Sequence, residues 1–186
     1  IKVNADKCEA ISFTRSRRQG DGHFLAIDGV RVPWKTTVKY LGVLLDRRLT
    51  LTPHVDRVCN LANVGLKSLR PLLCSRKLPI RTKLLLYTAL LRPVLTYAAP
   101  AWYHLACQTA RKKILSVQSK SLRQATSSPW FVRNSVIRDS AQIPTIRTFI
   151  DGQTARLQQT SEETPWEHIR DLLQQEVPQL RPQMLD

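Results

Sequence analysis

The sequence predicts an α+β fold, with short strands inside the first fifty residues and helices from Thr52 onward. Three observations carry this. Asp28-Gly29 stands between short apolar runs in "HFLAIDGVRVP", a strong hairpin signal. Beyond Thr52-Pro53, the residues Val55, Val58, Cys59, Ala62, Leu66 and Leu69 recur at mostly three- and four-residue steps, the period of a helix with one buried face. Pro79, Pro129 and Pro144 then divide the remainder into segments of helical length.

Taken in order, "CEAISFT" alternates Ile11 and Phe13 against Ser12 and Thr14, as a strand does. "SRRQGDG" is a turn-rich loop. "VKYLGVLLD" reads as a further strand, apolar on both faces and so covered on both, in which Gly42 implies a close approach of backbone or ligand. Thr52 is a cap with Pro53 at the first helical position, and Pro71 ends or kinks that helix. "TKLLLYTALLRPVLTYAAPAWYHL" is apolar nearly all round and is expected as the buried central helix, kinked at Pro93 and ended or bent at Pro100. A helix over 108–126 puts Ile114, Leu115, Leu122 and Ala125 on one side and Lys112, Lys113, Lys120 and Arg123 on the other, with Gln118 in the apolar stripe needing a partner. Ser128-Pro129 opens "FVRNSVIRDSAQ", and Thr145 caps "IRTFIDGQTARLQQ". The last residues, from 161, read as a loose tail with at most one short helix around Trp166–Leu173.

The chain has 186 residues and is 42% hydrophobic, enough for a core. No unbroken apolar run reaches the roughly 18 residues of a membrane span, and the opening "IKVNADKCEA" has no apolar leader core. It begins without Met, as a piece of a longer protein would. Cys8, Cys59, Cys74 and Cys107 form no C-x-x-C pair and match no histidine at finger spacing, so they read as free thiols in a reducing compartment, with no metal site. The net charge of +15 is unevenly placed. Residues 51–125 hold thirteen Lys/Arg against one Asp/Glu, while residues 126–186 hold six against eight. A block this basic fits a polyanion that offsets its self-repulsion.

No catalytic constellation stands out. A two-metal enzyme needs clustered carboxylates, and Asp6, Glu9, Asp21, Asp28 and Asp46 are scattered. No phosphate-cradling Gly loop, G-x-S-x-G or H-E-x-x-H is present.

"VNADKCEAISFTR" resembles the "IN-x-x-KT" element that follows the catalytic aspartates in reverse transcriptases of non-LTR retrotransposons, with Val3 for Ile and Cys8 for Thr. "VKYLGVLLDRRLTLTPHV" is similar to their "KYLG" element, the primer grip. "LLRPVLTYAAPAWYHLA", "LSVQSKSLRQATSSPWFVRNSVIRD" and "IPTI" resemble the thumb and the region after it in the jockey-like group. The resemblance spans about residues 1–150. It implies short antiparallel strands at the edge of the palm over 1–50, a basic three-helix-type thumb over 51–126, and further helices over 127–160. It implies an RNA-directed DNA polymerase whose acidic loop and Mg²⁺ lie upstream, with no cofactor held here. The expected partners are RNA–DNA hybrid or primer–template duplex and the upstream fingers and palm, with no membrane, in nucleus and cytoplasm. Lys7 matches the lysine proposed as general acid toward pyrophosphate; the other reading of this residue is a solvated turn lysine. Lys39, Tyr40, Leu41 and Gly42 match the primer grip, implying a tight hairpin, with core packing the other reading of Tyr40 and Leu41. Arg47 and Arg48, where the strand leaves for the thumb, and the Lys112, Lys113, Lys120 and Arg123 face are expected on duplex phosphates. Arg70, Arg76, Lys77, Arg81 and Lys83 offer a second track. Two rivals remain: a non-catalytic nucleic-acid-binding remnant or domesticated module, and a helical domain whose basic face takes acidic proteins.

Overall fold

The computed structural model describes residues 4, 7–14, 24–164 and 166. The loop over 16–22, Val3 of the first family element and the short helix expected beyond Trp166 lie outside these residues. The architecture is α+β, with two small antiparallel strand pairs followed by a helical bundle.

Strands β1 (Ala26–Ile27) and β2 (Val30–Arg31) pair with Ile27 opposite Val30, which leaves Asp28-Gly29 as a two-residue turn. Both turn residues have positive φ, 49° and 78°, the conformation that matches strand twist and that Asp-Gly adopts readily. The strand expected over "CEAISFT" does not form. Ala10 makes one parallel bridge to Trp34, donating to the Pro33 carbonyl at 3.0 Å and accepting from Lys35 N–H at 2.8 Å. Pro33 has no N–H to continue a ladder.

The stretch "VKYLGVLLD" is two strands rather than one. β3 (Thr37–Tyr40) and β4 (Val43–Asp46) pair antiparallel, with Tyr40 opposite Val43. Leu41 and Gly42 form the turn, with φ of 44° and 87°. Nor is the hairpin covered on both faces. Val43 and Leu45 face the core, while Tyr40 and Leu41 are 64% and 75% exposed.

Helix α1 (Thr52–Leu73) carries the predicted stripe and continues through Pro71 for two residues to Leu73. Thr52 is its first helical residue rather than its cap. The cap position is Leu51, held in a left-handed conformation at φ 57°. The long apolar run is broken into α2 (Ile80–Leu86), a π-helical turn (Tyr87–Leu91), α3 (Arg92–Thr96) and α4 (Ala99–Trp102). Pro93 would drive its ring into the Ala89 carbonyl in a regular helix, and the wider turn just before it relieves that clash. This run is not buried all round. Tyr87, Leu91, Leu95 and Trp102 are buried, whereas Leu85, Leu90 and Tyr97 are exposed. By length and composition Ile80–Trp102, with a mean hydropathy of 1.2, suffices to cross a membrane, which corrects the reading that no segment does. Here its inner side packs in the core, and Arg81, Lys83 and Arg92 interrupt it.

Helix α5 (Gln108–Thr126) has the predicted bounds. Gln118 finds its partners in the next connection: its amide donates to the Pro144 carbonyl at 2.9 Å and its oxygen accepts from Ile146 N–H at 3.0 Å. α6 (Asn134–Ala141) begins later than expected because Ser128–Arg133 form a loop. α7 (Ile146–Glu162) starts at Thr145, whose hydroxyl accepts from Thr148 N–H at 3.1 Å, and runs into the expected tail. Ile146 and Ile150 join Trp102, Ile114 and Val55 in one core, and Tyr87, Leu122 and Ile137 anchor a second toward the far end of α1. All four cysteines are free thiols.

Candidate nucleic-acid interface

At the hairpin end, the strand that closes "VKYLGVLLD" finishes in an acid followed by two arginines. Asp46 starts the helix that follows. One of its oxygens accepts from Leu51 N–H at 2.6 Å, and the other accepts from Thr50 N–H and the Thr50 hydroxyl, each at 3.1 Å. An ionised carboxylate on backbone donors at a helix start is among the stronger neutral-pH hydrogen bonds. Leu49 and Leu51, both left-handed, are held by these bonds and by the burial of Leu51.

Two side chains from the helical part hold the turn. The Tyr97 hydroxyl donates to the Leu41 carbonyl at 3.3 Å, and Arg57 donates to the Gly42 carbonyl at 3.3 Å. The approach at Gly42 is real, but a side chain makes it: a Cβ there would lie 2.9 Å from Tyr97 Cε1. Under the turn, His54 is 1% exposed and packs edge-on to Trp102, their ring centres 4.7 Å apart. Its Nδ1 accepts from Leu44 N–H at 3.3 Å. Burial, then the nearby Arg57 charge, holds its pKa below the ordinary 6.5, so it is neutral at pH 7. The proton therefore sits on Nε2, which is enclosed without a hydrogen-bond partner among the described residues. Lys39 and Arg48 point outward beside the hairpin, and Arg47 is half-buried, its backbone bonded to Thr36 and Thr14. Lys7 is exposed in a short turn, its N–H donating to the Asn4 carbonyl at 3.2 Å.

The face of α5 divides. Lys113 donates to Asp56 of α1 at 2.5 Å, and this bond raises its pKa. Asp56 is the sole Asp/Glu in residues 51–125, a partner invisible along the helix because it is 57 positions away. Arg123 is not free for phosphate either. It donates to the carbonyls of Pro129 and Val132, the latter at 2.7 Å, and to Asn134 Oδ1 at 2.8 Å. Lys112 and Lys120 stay exposed, Lys120 beside a shallow cleft of about 450 Å³ shared with Asn60, Asn63 and Ser116. On the second basic track Lys83 is buried, so Arg70, Arg76, Lys77 and Arg81 alone face outward.

The sequence reading missed Arg57, His54 and Tyr97. Arg57 is one cation on a polar face, His54 a lone histidine and Tyr97 one residue in an apolar run, so only the tertiary fold brings them to the hairpin. Asp46 and Asp56 are used as described, and no group of three His, Cys, Asp or Glu among the described residues is placed to hold a metal.

No family model matches the chain, and no solved structure matches it. Curated proteins do. Over 157 residues it is 35% identical to a probable RNA-directed DNA polymerase from transposon X-element of Drosophila melanogaster, covering 84% of this chain and 17% of that protein. Over 147 residues it is 32% identical to the RNA-directed DNA polymerase from mobile element jockey of Drosophila funebris, covering 78% and 16%. The Drosophila melanogaster jockey enzyme is 28% identical over 145 residues, 77% of this chain and 16% of that protein. These matches place the chain among reverse-transcriptase sequences of non-LTR elements. Within them it belongs to the jockey-like family, of whose curated members it spans about a sixth of the length.

Proposed function

We propose that this chain supplies the primer grip and thumb of an RNA-directed DNA polymerase of a non-LTR retrotransposon, holding primer–template duplex for an active site formed upstream. The observation that carries the reading is the hairpin turn whose two carbonyls are tied to Arg57 and Tyr97 while Tyr40 and Leu41 project outward. A primer end needs a rigid platform, and the turn is rigid because palm and thumb hold it jointly. Exposed Tyr40 and Leu41 are available to the sugar–phosphate chain, and Lys39, Arg48, Lys112 and Lys120 supply sequence-independent phosphate contacts. In this reading Mg²⁺ is held by upstream carboxylates, Lys7 approaches the leaving pyrophosphate, and the partner protein is the upstream fingers and palm, acting in nucleus and cytoplasm. Among the described residues no carboxylate cluster fits the metal, and no step is assigned to it in this chain.

The test is Tyr40→Ala in the full polymerase. Because Tyr40 is 64% exposed, thermal stability should stay unchanged. Primer extension should fall about tenfold or more, as when a positioning contact is lost. Normal extension by a normally folded variant contradicts the assignment. An upstream reading frame without its acidic loop favours the non-catalytic binding module instead.

A further inference from the structure

The loop after α5 is built with more care than a connection needs. Ser127 closes α5 in a left-handed conformation at φ 53°, with its N–H and that of Ser128 returned to Gln124 and Arg123. Arg123 then grips both ends of the loop, at Pro129 and Val132, and reaches Asn134 at the start of α6. What the loop displays is two aromatic rings. Trp130 is 88% exposed and Phe131 69%, set edge to face with centres 6.0 Å apart. A tryptophan so exposed gives up nearly all the burial its side chain offers.

Charge decides what these rings meet. No Asp or Glu occurs between Asp56 and Asp139, and the loop is flanked by Lys120, Arg123, Arg133 and Arg138. A stretch of sequence without Asp or Glu from 57 to 138, carrying open π faces, fits a polyanion that carries rings of its own. Duplex bases are already stacked and show only their edges, so an exposed ring face selects unpaired bases. We propose that Trp130 and Phe131 form a stacking platform for single-stranded nucleic acid, a second contact distinct from the duplex grip. α1 and α5 run parallel, with Lys113 beside Asp56 near the start of α1 and Leu122 and Ala125 packed in the core that holds Leu73 at its end. The platform therefore lies at the far end of the bundle, roughly 30 Å from the hairpin for the 22 residues of α1.

The test compares two labelled probes on the intact chain, a 20-nucleotide single-stranded RNA and an RNA–DNA hybrid of the same length. Trp130→Ala/Phe131→Ala should weaken single-strand binding about tenfold or more and leave hybrid binding within about twofold, with an unchanged melting temperature. Trp130→Phe, which keeps a ring, should restore most of the loss. Equal loss on both probes means that the rings serve the duplex site, and no loss on either means that they meet no nucleic acid. If binding is unaffected while the double variant fails to associate with the upstream part of the polymerase, the platform is a protein contact and the proposal fails. If the unmodified chain binds hybrid but not single strand, this inference alone falls; binding to neither overturns the duplex reading as well.

Discussion

The two ends of the helical bundle fix their turns by the same device and differ in what lies beneath. At the hairpin end, Arg57 and Tyr97 hold the carbonyls of Leu41 and Gly42; at the far end, Arg123 holds those of Pro129 and Val132. In both, groups that a sequence offers as phosphate or core residues are committed to backbone oxygen, and the exposed groups are rings and alkyl chains. Under the hairpin, however, lie Val43, Leu51, His54 and Trp102, all buried, whereas Trp130 and Phe131 rest on little. The first turn is held by core and clamp, the second mainly by its clamp. The difference also warns against counting cations: with Arg57, Lys113 and Arg123 engaged, fewer remain for a polyanion than the charge of +15 implies.

The largest expected effect tests the buried foundation. Trp102→Ala removes a fully enclosed indole and its 2.8 Å hydrogen bond to the Tyr97 carbonyl, and should cost about 3–5 kcal/mol in denaturant unfolding. Trp130→Ala should change stability by no more than about 0.5 kcal/mol. Similar losses for the two tryptophans would erase the contrast between the ends.

Gly42→Ala comes next. Placing a Cβ at φ 87° costs about 1–2 kcal/mol from the backbone alone, and Tyr97 must also move. A neutral substitution would mean that the turn is not held as described. The clamps themselves should then rank in order. Arg123→Ala should lose about 1–2 kcal/mol and speed hydrogen exchange at 130–134, while Arg57→Ala should lose under about 1 kcal/mol because the core still supports the hairpin. The reverse order would contradict the comparison.

The smallest effect is pH-dependent and confined to the hairpin end. His54 has a folded pKa below its unfolded value of 6.5, so the unfolded chain takes up the proton first. Its contribution is fully present above about pH 6.5 and is lost as pH falls from there through the lower folded value. His54→Gln should flatten this part of the stability profile, measured by unfolding between about pH 5 and 8. An unchanged slope would show that other groups carry it.

Much of the helical part was legible. The period and flanking residues of α5 predict both of its ends, and Gln118 signals its need for a partner, because a polar residue inside an apolar stripe is a local signal with a tertiary consequence. Asp28-Gly29 announced its turn by residue type. Leu41-Gly42 did not: a leucine at positive φ is sustained by Tyr97 and Arg57, which no local pattern reveals, and only the family resemblance implied a hairpin. The central apolar run predicts burial all round because composition reports hydrophobicity without saying how many neighbours exist to cover it. At the site, the outward position of Lys112 and Lys120 followed from helical period, while the loss of Lys113 and Arg123 to Asp56 and the loop carbonyls is long-range or conformational and had no sequence signature.

The central claim is that the basic bundle binds duplex through the cations it leaves free. The most direct measurement is the salt dependence of RNA–DNA hybrid binding by Lys112→Gln/Lys120→Gln beside Lys113→Gln/Arg123→Gln. Each phosphate contact contributes about 0.9 to the slope of log affinity against log salt for B-DNA, and a hybrid should behave similarly. The first pair should lower the slope by about two units for any duplex sequence, and the second by less than one. An unchanged slope for Lys112→Gln/Lys120→Gln, or a larger drop for the clamped pair, would contradict the account.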